Sequence, residues 1–382
     1  MRRTLLLGAL LFLLAPGSAL AADAVTLNGS ASVVRYNRAV TLSGAITPVA
    51  AGETVGLYRQ AGSAWTLVGS TTTAADGTFS VAVVLKSPAT FLARATDSAG
   101  NPVESSPVSV KVRPLLSARL AGSNVIGAKL YVTGRLVPRT AGIVYVSAGT
   151  IVRKARLSRY GYYRVQIPTT RWFTYYAHAR VAPATGFTAV RRTRHVRVKR
   201  VSLALGSTGP AARWLDYSLR KRSFTVDGVD SRYGYDTRDA VYAFQKVHGL
   251  ARTGYWSASL WRLLRDSGTP KARIARGSHI EVSKTRQTLY EVRRGKVVSI
   301  MHVSTGATGN TPVGHFHIYW KDAGFNALGM YYSMYFHGGF AIHGYHSVPP
   351  FQASHGCVRT PLWFAPKIFS RWGVGASVYV FG

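Results

Sequence analysis

IHGYHSVPPFQASHGCVR, residues 342–359, holds the only cysteine of the 382-residue chain, Cys357. The stretch opens on the end of an apolar run, Phe340-Ala341-Ile342, passes through the helix-breaking pair Pro349-Pro350, and closes on a glycine turn into Val358 and Arg359. The run before His343 therefore reads as β-like, and Cys357 lies in a glycine-containing turn. A lone cysteine cannot close an internal disulfide. It is a buried bystander, an intermolecular link or a reactive thiol.

The neighbouring residues favour the thiol. A cysteine nucleophile needs a base within reach, and the base needs a group that fixes its tautomer. His343 stands at the end of the apolar run, a suitable place for an active-site base. His355, two residues before Cys357, suits support of the turn or of an oxyanion site, and His346 suits the rim. Asp322 is the only acidic residue between 301 and 382, which excludes a two-carboxylate glycosidase site there. The orienter of His343 is then either Asp322 or a backbone carbonyl, for which Gly344 is placed. Backbone N–H groups around Gly356, Cys357 and Val358 are candidate oxyanion donors. His315 and His317 form an HxH pair that a zinc ion could use together with Cys357, but no second cysteine or nearby carboxylate completes such a set. No metal site is expected.

The segments STGATGNTPVGHFHI (304–318), AIHG (341–344) and SHGCVR (354–359) closely resemble the L,D-transpeptidase catalytic domain of the YkuD type. The resemblance spans roughly 100 residues, and a histidine followed after about 14 residues by Ser-His-Gly-Cys is a specific signature. It implies Cys357 as nucleophile and His343 as general base, with Gly344 orienting His343 through its carbonyl. Ser354, His355, Gly356, Val358 and Arg359 would shape the site, and Arg359 would meet a substrate carboxylate. The implied reaction is acyl transfer between peptidoglycan stem peptides through a cysteine thioester, with release of D-alanine, formation of 3→3 cross-links and no metal or organic cofactor. Carbapenems acylate similar enzymes. Water as acceptor would make the protein an L,D-carboxypeptidase, and a protein amine would make it an anchoring enzyme. A wall-binding protein with a degenerate enzyme domain is the alternative of another class. Residues 321–340, rich in Gly and Tyr, read as a loop beside the cleft and a possible lid.

Upstream the chain changes character. GSTGPAARWLDYSL, DTRDAVYAFQKVHGL and SASLWRLL, within 206–264, space Ala211, Trp214, Leu215 and Leu219, then Ala240, Val241 and Phe244, as helical faces. Thr237 stands near the start of the second helix and Ser257 is a plausible cap of the third. These motifs resemble the peptidoglycan-binding domain of wall enzymes, with Asp216 where a Gln is common. Earlier still, VTLSGAITPVAAG (40–52) aligns with LYVTGRLVPRTAG (130–142), and GTFSV (77–81) with GYYRV (161–165). Short Val/Thr/Tyr runs between Gly and Pro turns suggest two immunoglobulin-like sandwiches.

The N-terminus carries Arg2-Arg3, an apolar stretch from Leu5 to Ala15 and a small-x-small site at Ala19-Leu20-Ala21, the layout of a secretory signal peptide. No later stretch has spanning length. The expected domains are 1–21, a signal peptide; 22–113 and 114–200, the two sandwiches; 201–270, the helical wall-binding module; and 271–382, the catalytic domain. The class is thus multidomain and mainly β. The net charge of +34 is concentrated in 114–200, which has 17 Lys or Arg and no acidic residue. Such a field attracts polyanions. In a secreted, wall-associated protein these are anionic envelope polymers beside peptidoglycan glycan and stem peptides, rather than nucleic acid.

Overall fold

A computed structural model describes residues 23–382. The expected signal peptide lies outside the described residues. The architecture is mainly β with four helices among the described residues. Residue contacts divide the chain into two compact units. One comprises the described residues to Leu120 with Val132–Val165 and Tyr176–Arg194; the other comprises Ala121–Tyr131, Gln166–Tyr175 and His195–Gly382.

In the first unit, Arg38–Thr47 and Thr78–Leu85 pair in one sheet, while Thr54–Ala61, Ala89–Thr96 and Val108–Arg113 belong to a second. Val40, Leu42 and Phe79 from the first sheet share a core with Val55, Leu57, Phe91 and Val110 from the other. The aligned repeat positions have matching surroundings. A Cβ on Gly44 would lie 2.0 Å from Thr26 O and 2.6 Å from the Phe79 ring. One on Gly134 would lie 2.0 Å from Ser117 O and 2.7 Å from the Tyr163 ring. The aligned residues Phe79 and Tyr163 thus press an aromatic ring against glycine backbone in both repeats, so neither glycine tolerates a side chain.

In the second unit, α1 (Pro210–Arg220), α2 (Tyr235–Val247) and α3 (Leu260–Asp266) form a small bundle. Its centre is aromatic: the Phe244 ring lies 5.3 Å from Phe224 and 5.2 Å from Trp256, and Trp256 lies 5.4 Å from Trp261. One local expectation holds and one changes. Thr237 is the third residue of α2, where its hydroxyl donates to buried Asp216 at 2.8 Å. Ser259 occupies the N-cap position of α3, and Ser257 only meets its hydroxyl. The short turn Ser257-Ala258-Ser259 delays the helix by two residues.

The bundle is continuous with the catalytic sheet. Thr225 N donates to Ile300 O at 3.0 Å and Ile300 N to Ser223 O at 2.6 Å. These bonds cover the edge strand Lys296–His302, whose backbone would otherwise stay open for pairing. That strand begins a five-stranded sheet ordered 296–302, 288–293, 279–283, 377–381, 314–317. A four-stranded sheet follows in the order 320–325, 331–337, 340–345, 358–361. Ile280, Val282 and Met301 from the first, Met334, Ile342 and Val358 from the second, and Phe364 and Ile368 at the final helix α4 (Ala365–Arg371) form one core.

The stretch 321–340 is not the expected loop. It is most of a hairpin, Trp320–Phe325 paired antiparallel with Tyr331–His337. Its aromatic residues are cross-strand partners: the Trp320 ring stacks 4.6 Å from Tyr335, and Phe325 lies 4.3 Å from Tyr331. Such pairs hold a register by packing across the strands. Trp320 starts this hairpin, because the preceding strand ends at His317.

Candidate active site

Two adjacent strands bring the site together. Phe340–Tyr345 pairs in parallel with Val358–Pro361, setting His343 opposite Arg359. Cys357 immediately precedes the second strand. Leu328, Met330, Tyr335, Phe340, Tyr345 and Arg359 line a cleft of about 580 Å³ that also reaches His343, Ser354, His355 and Cys357. The cleft floor is apolar, since Met330, Tyr335 and Ala341 pack against Cys357.

His343 is buried, and its Nδ1 lies 2.9 Å from Gly344 O. A carbonyl can only accept, so Nδ1 carries the proton and Nε2 is the basic nitrogen. Asp322 lies instead on the hairpin, in register with Ser333. Burial pushes the His343 pKa down to about 4; the Gly344 carbonyl opposes the shift and Arg359 adds to it. Burial also raises the Cys357 thiol, against the Ala341 amide and the Arg359 charge, which favour the thiolate. The resting pair is therefore a thiol beside a neutral imidazole.

The turn carrying Cys357 is tied on both sides. Ser354 Oγ donates to Cys357 O at 2.6 Å and accepts the Gly356 N–H at 3.0 Å. This engages one of the three amides expected to serve an oxyanion. Gly356 has φ +136°, and a Cβ there would lie 2.4 Å from the Phe340 ring. Val358 is fully buried opposite Ile342, so it anchors the turn in the core. His355 is exposed, and its carbonyl accepts from Asn310 Nδ2 at 2.8 Å. Thr311 Oγ1 donates to Gly356 O at 2.6 Å, and Thr360 Oγ1 to His343 O at 3.1 Å. The Arg359 guanidinium lies 4.1 Å over the Tyr345 ring, at the cleft wall.

Asn310, Thr311 and Thr360 were not singled out from sequence. Their signal was present for the first two, because STGATGNT is a Gly/Thr/Asn run too polar for a strand of this core. His315 and His317 stand apart from these ties: His315 stacks on Tyr379 at 4.1 Å. Among the described residues no three His, Cys, Asp or Glu side chains group as a metal would require.

Residues 277–380 match the YkuD family, described as the L,D-transpeptidase catalytic domain, and residues 208–264 match a peptidoglycan binding domain family. The chain is similar to the solved L,D-transpeptidase from Xylanimonas cellulosilytica DSM 15894, with 31% identity, 48% of this chain and 98% of that chain covered, and a TM-score of 0.46. An L,D-transpeptidase from Mycobacterium smegmatis is 13% identical over 70% of this chain and 100% of its own, with a TM-score of 0.25. An LD transpeptidase solved in complex with imipenem is 14% identical over 70% of this chain and 99% of its own, also at 0.25. A search of curated proteins finds no match.

Proposed function

For this chain, which belongs to the L,D-transpeptidase family and carries a YkuD catalytic domain beside a peptidoglycan-binding domain, we propose a secreted enzyme that forms 3→3 cross-links through a Cys357 thioester. The observation that carries the reading is the His343 Nδ1 bond to Gly344 O inside the cleft that Cys357 also lines. It leaves Nε2 basic on a buried imidazole.

Cys357 Sγ attacks the carbonyl of the third stem residue in a tetrapeptide donor while His343 Nε2 takes the thiol proton. The tetrahedral intermediate collapses as that proton passes to the departing D-alanine amine, leaving the thioester. A side-chain amine of a second stem peptide then attacks, returns its proton through His343 and frees Cys357. Backbone amides beside Cys357 stabilise the oxyanion, and Arg359 meets a substrate carboxylate. The cleaved peptide bond supplies the acyl energy, so no cofactor or ATP enters. A carbapenem acylates the same thiol.

The helical module holds glycan near the cleft and so raises local substrate concentration. The two β repeats are immunoglobulin-like spacers. The second also has a basic sheet face for anionic envelope polymers. There Tyr145 lies between Arg180 at 5.1 Å and Lys154 at 5.7 Å.

The test is mass spectrometry of mature protein, and of Cys357→Ala, incubated with disaccharide-tetrapeptide. Cysteine-dependent dimers lacking one D-alanine are expected. Tripeptide monomers alone would mean hydrolysis, and an absence of any cysteine-dependent product would reject the enzyme reading.

A further inference from the structure

The helical module contains a buried lysine that its wall-binding role does not use. Lys246 of α2 is 3% exposed. Its Nζ lies 2.9 Å from Gln287 O, 3.0 Å from Val303 O and 3.2 Å from His302 Nδ1. All three partners belong to the catalytic domain, and they match the three N–H bonds of an ammonium group. On the far side of the imidazole, His302 Nε2 lies 3.4 Å from Asp239 Oδ1. The other oxygen of Asp239 accepts the Trp363 indole N–H at 2.9 Å.

Both ends of this cluster lead to the Cys357 segment. Gln287 sits at φ 59°, a conformation that costs a non-glycine residue energy unless its surroundings enforce it. Its side-chain amide donates to Thr305 Oγ1 at 2.6 Å and accepts Thr305 N–H at 2.8 Å. Thr305 O accepts the amides of Ala353 and Ser354 at 2.9 and 3.0 Å, and Ser354 Oγ holds Cys357 O. Downstream, Trp363 lies two residues beyond the strand that starts at Val358. Arg252, in the loop after α2, adds a third hold by donating to Pro350 O at 2.9 Å and Thr285 O at 3.1 Å.

We propose that α2 of the wall-binding module is a positioning element for the catalytic turn, with Lys246 and Asp239 gripping the Cys357 segment from its two sides. The module then acts on the chemical step as well as on substrate capture. A ligand that shifts α2 acts directly on the turn. The charged and titratable groups facing Lys246 are His302, Asp239, Arg252 and Arg238. Burial and the Arg252 charge press against the ammonium form while Asp239 favours it, so removing Asp239 further disfavours that form.

The test uses full-length mature chains carrying Lys246→Met or Trp363→Phe; the second removes an N–H and keeps a ring. Hydrogen exchange followed by mass spectrometry reads the amides of 350–360 against the rest of the catalytic domain. Faster exchange in 350–360 is expected in both variants, accompanied in Lys246→Met only by the linking residues 287 and 303–305. On soluble disaccharide-tetrapeptide, about a tenfold loss of kcat with KM within about twofold is expected, as a displaced nucleophile requires. The kinetic arm rests on the transpeptidase reading, whereas the exchange arm reports even on a chain without turnover. Exchange that is unchanged, or that rises evenly across the domain, overturns the proposal. A change in KM alone also overturns it. Should Lys246→Met fail to fold, Trp363→Phe decides by the same criteria.

Discussion

Two buried clusters of ionisable side chains lie in the same compact unit and differ in how they are closed. Around Lys246 the ammonium meets two carbonyls and an imidazole, and on the far side of that imidazole Asp239 lies against His302 and accepts the Trp363 indole N–H. Around Cys357 the protein satisfies only half. His343 is bound through Nδ1, the Ser354, Thr311 and Thr360 hydroxyls hold backbone carbonyls, and the thiol lines the cleft with a long contact of 3.7 Å to Gly339 O. A closed polar cluster fixes one arrangement of the chain. A half-closed one leaves the His343 Nε2 and the Cys357 thiol at the cleft, as the proposed reaction requires. The same physical means, burial with directed hydrogen bonds, gives positioning in one case and reactivity in the other.

Removing the reactive half gives the largest effect. Cys357→Ala abolishes product, and His343→Gln lowers kcat by about 10²–10⁴-fold, since general-base catalysis supplies about that much. Thermal melting checks that both variants fold, and product formation is followed by mass spectrometry. Retention of cross-linking by His343→Gln would move the base elsewhere.

Loosening the frame comes next. Gly356→Ala must displace the Phe340 ring and adopt φ +136° with a side chain, so a loss of about 10–100-fold in kcat is expected. Thr311→Val leaves Gly356 O without its donor and lowers stability by about 1–3 kcal/mol, read from urea unfolding. If both variants match the parent, the turn is held by something other than these contacts.

The pH dependence sharpens the contrast in a third way. With His343 lowered to about 4, the neutral base persists well below the ordinary histidine value of 6.5, so the acid limb of kcat should fall near 4. The thiol is raised, so iodoacetamide alkylation of Cys357 should gain its thiolate rate only above the ordinary value of 9.0. An alkylation step near pH 6.5 would indicate a preformed thiolate–imidazolium pair instead. For stability the sign is separate. The fold holds His343 and His302 neutral, while the unfolded chain takes up protons below 6.5. Their contribution is therefore lost as pH falls from 6.5 towards 4.

The smallest effect concerns Asp216, whose carboxyl burial pushes up to about 7 even though it accepts the Thr237 hydroxyl. The fold favours its protonated form, so stability is lost as pH rises from 3.8 through 7. Asp216→Asn should raise the melting temperature at pH 8 and leave it nearly unchanged at pH 4. An equal shift at both values would point to packing rather than charge.

Much of the catalytic site was legible because its signals are local. The proximity of His355, Gly356 and Cys357, the small run around His343 and the scarcity of carboxylates between 301 and 382 all read directly from the chain. The helical faces of 206–264 were equally legible from period. Less legible was whether Tyr- and Gly-rich residues in 321–340 form a loop or a strand pair, because aromatic residues serve both and only a partner strand decides. Ser257 failed as a cap for a related reason, since the turn before α3 has more than one serine able to lead it.

The sequence by itself singled out Cys357 as the candidate nucleophile and His343 as its candidate base, and it located the repeated frames of Gly44 and Gly134 and the wall-binding helices. Each is fixed by residues close together along the chain or by a repeated spacing. Only the tertiary structure decided that His343 is oriented by a backbone carbonyl and that Asn310 and Thr311 hold the cysteine turn. It alone brought Lys246 to Gln287 and Asp239 to Trp363, contacts separated by 41 and 124 residues. Pairings of that span leave no periodic trace, because they arise from how packed elements exclude water and direct their remaining polar groups to one another.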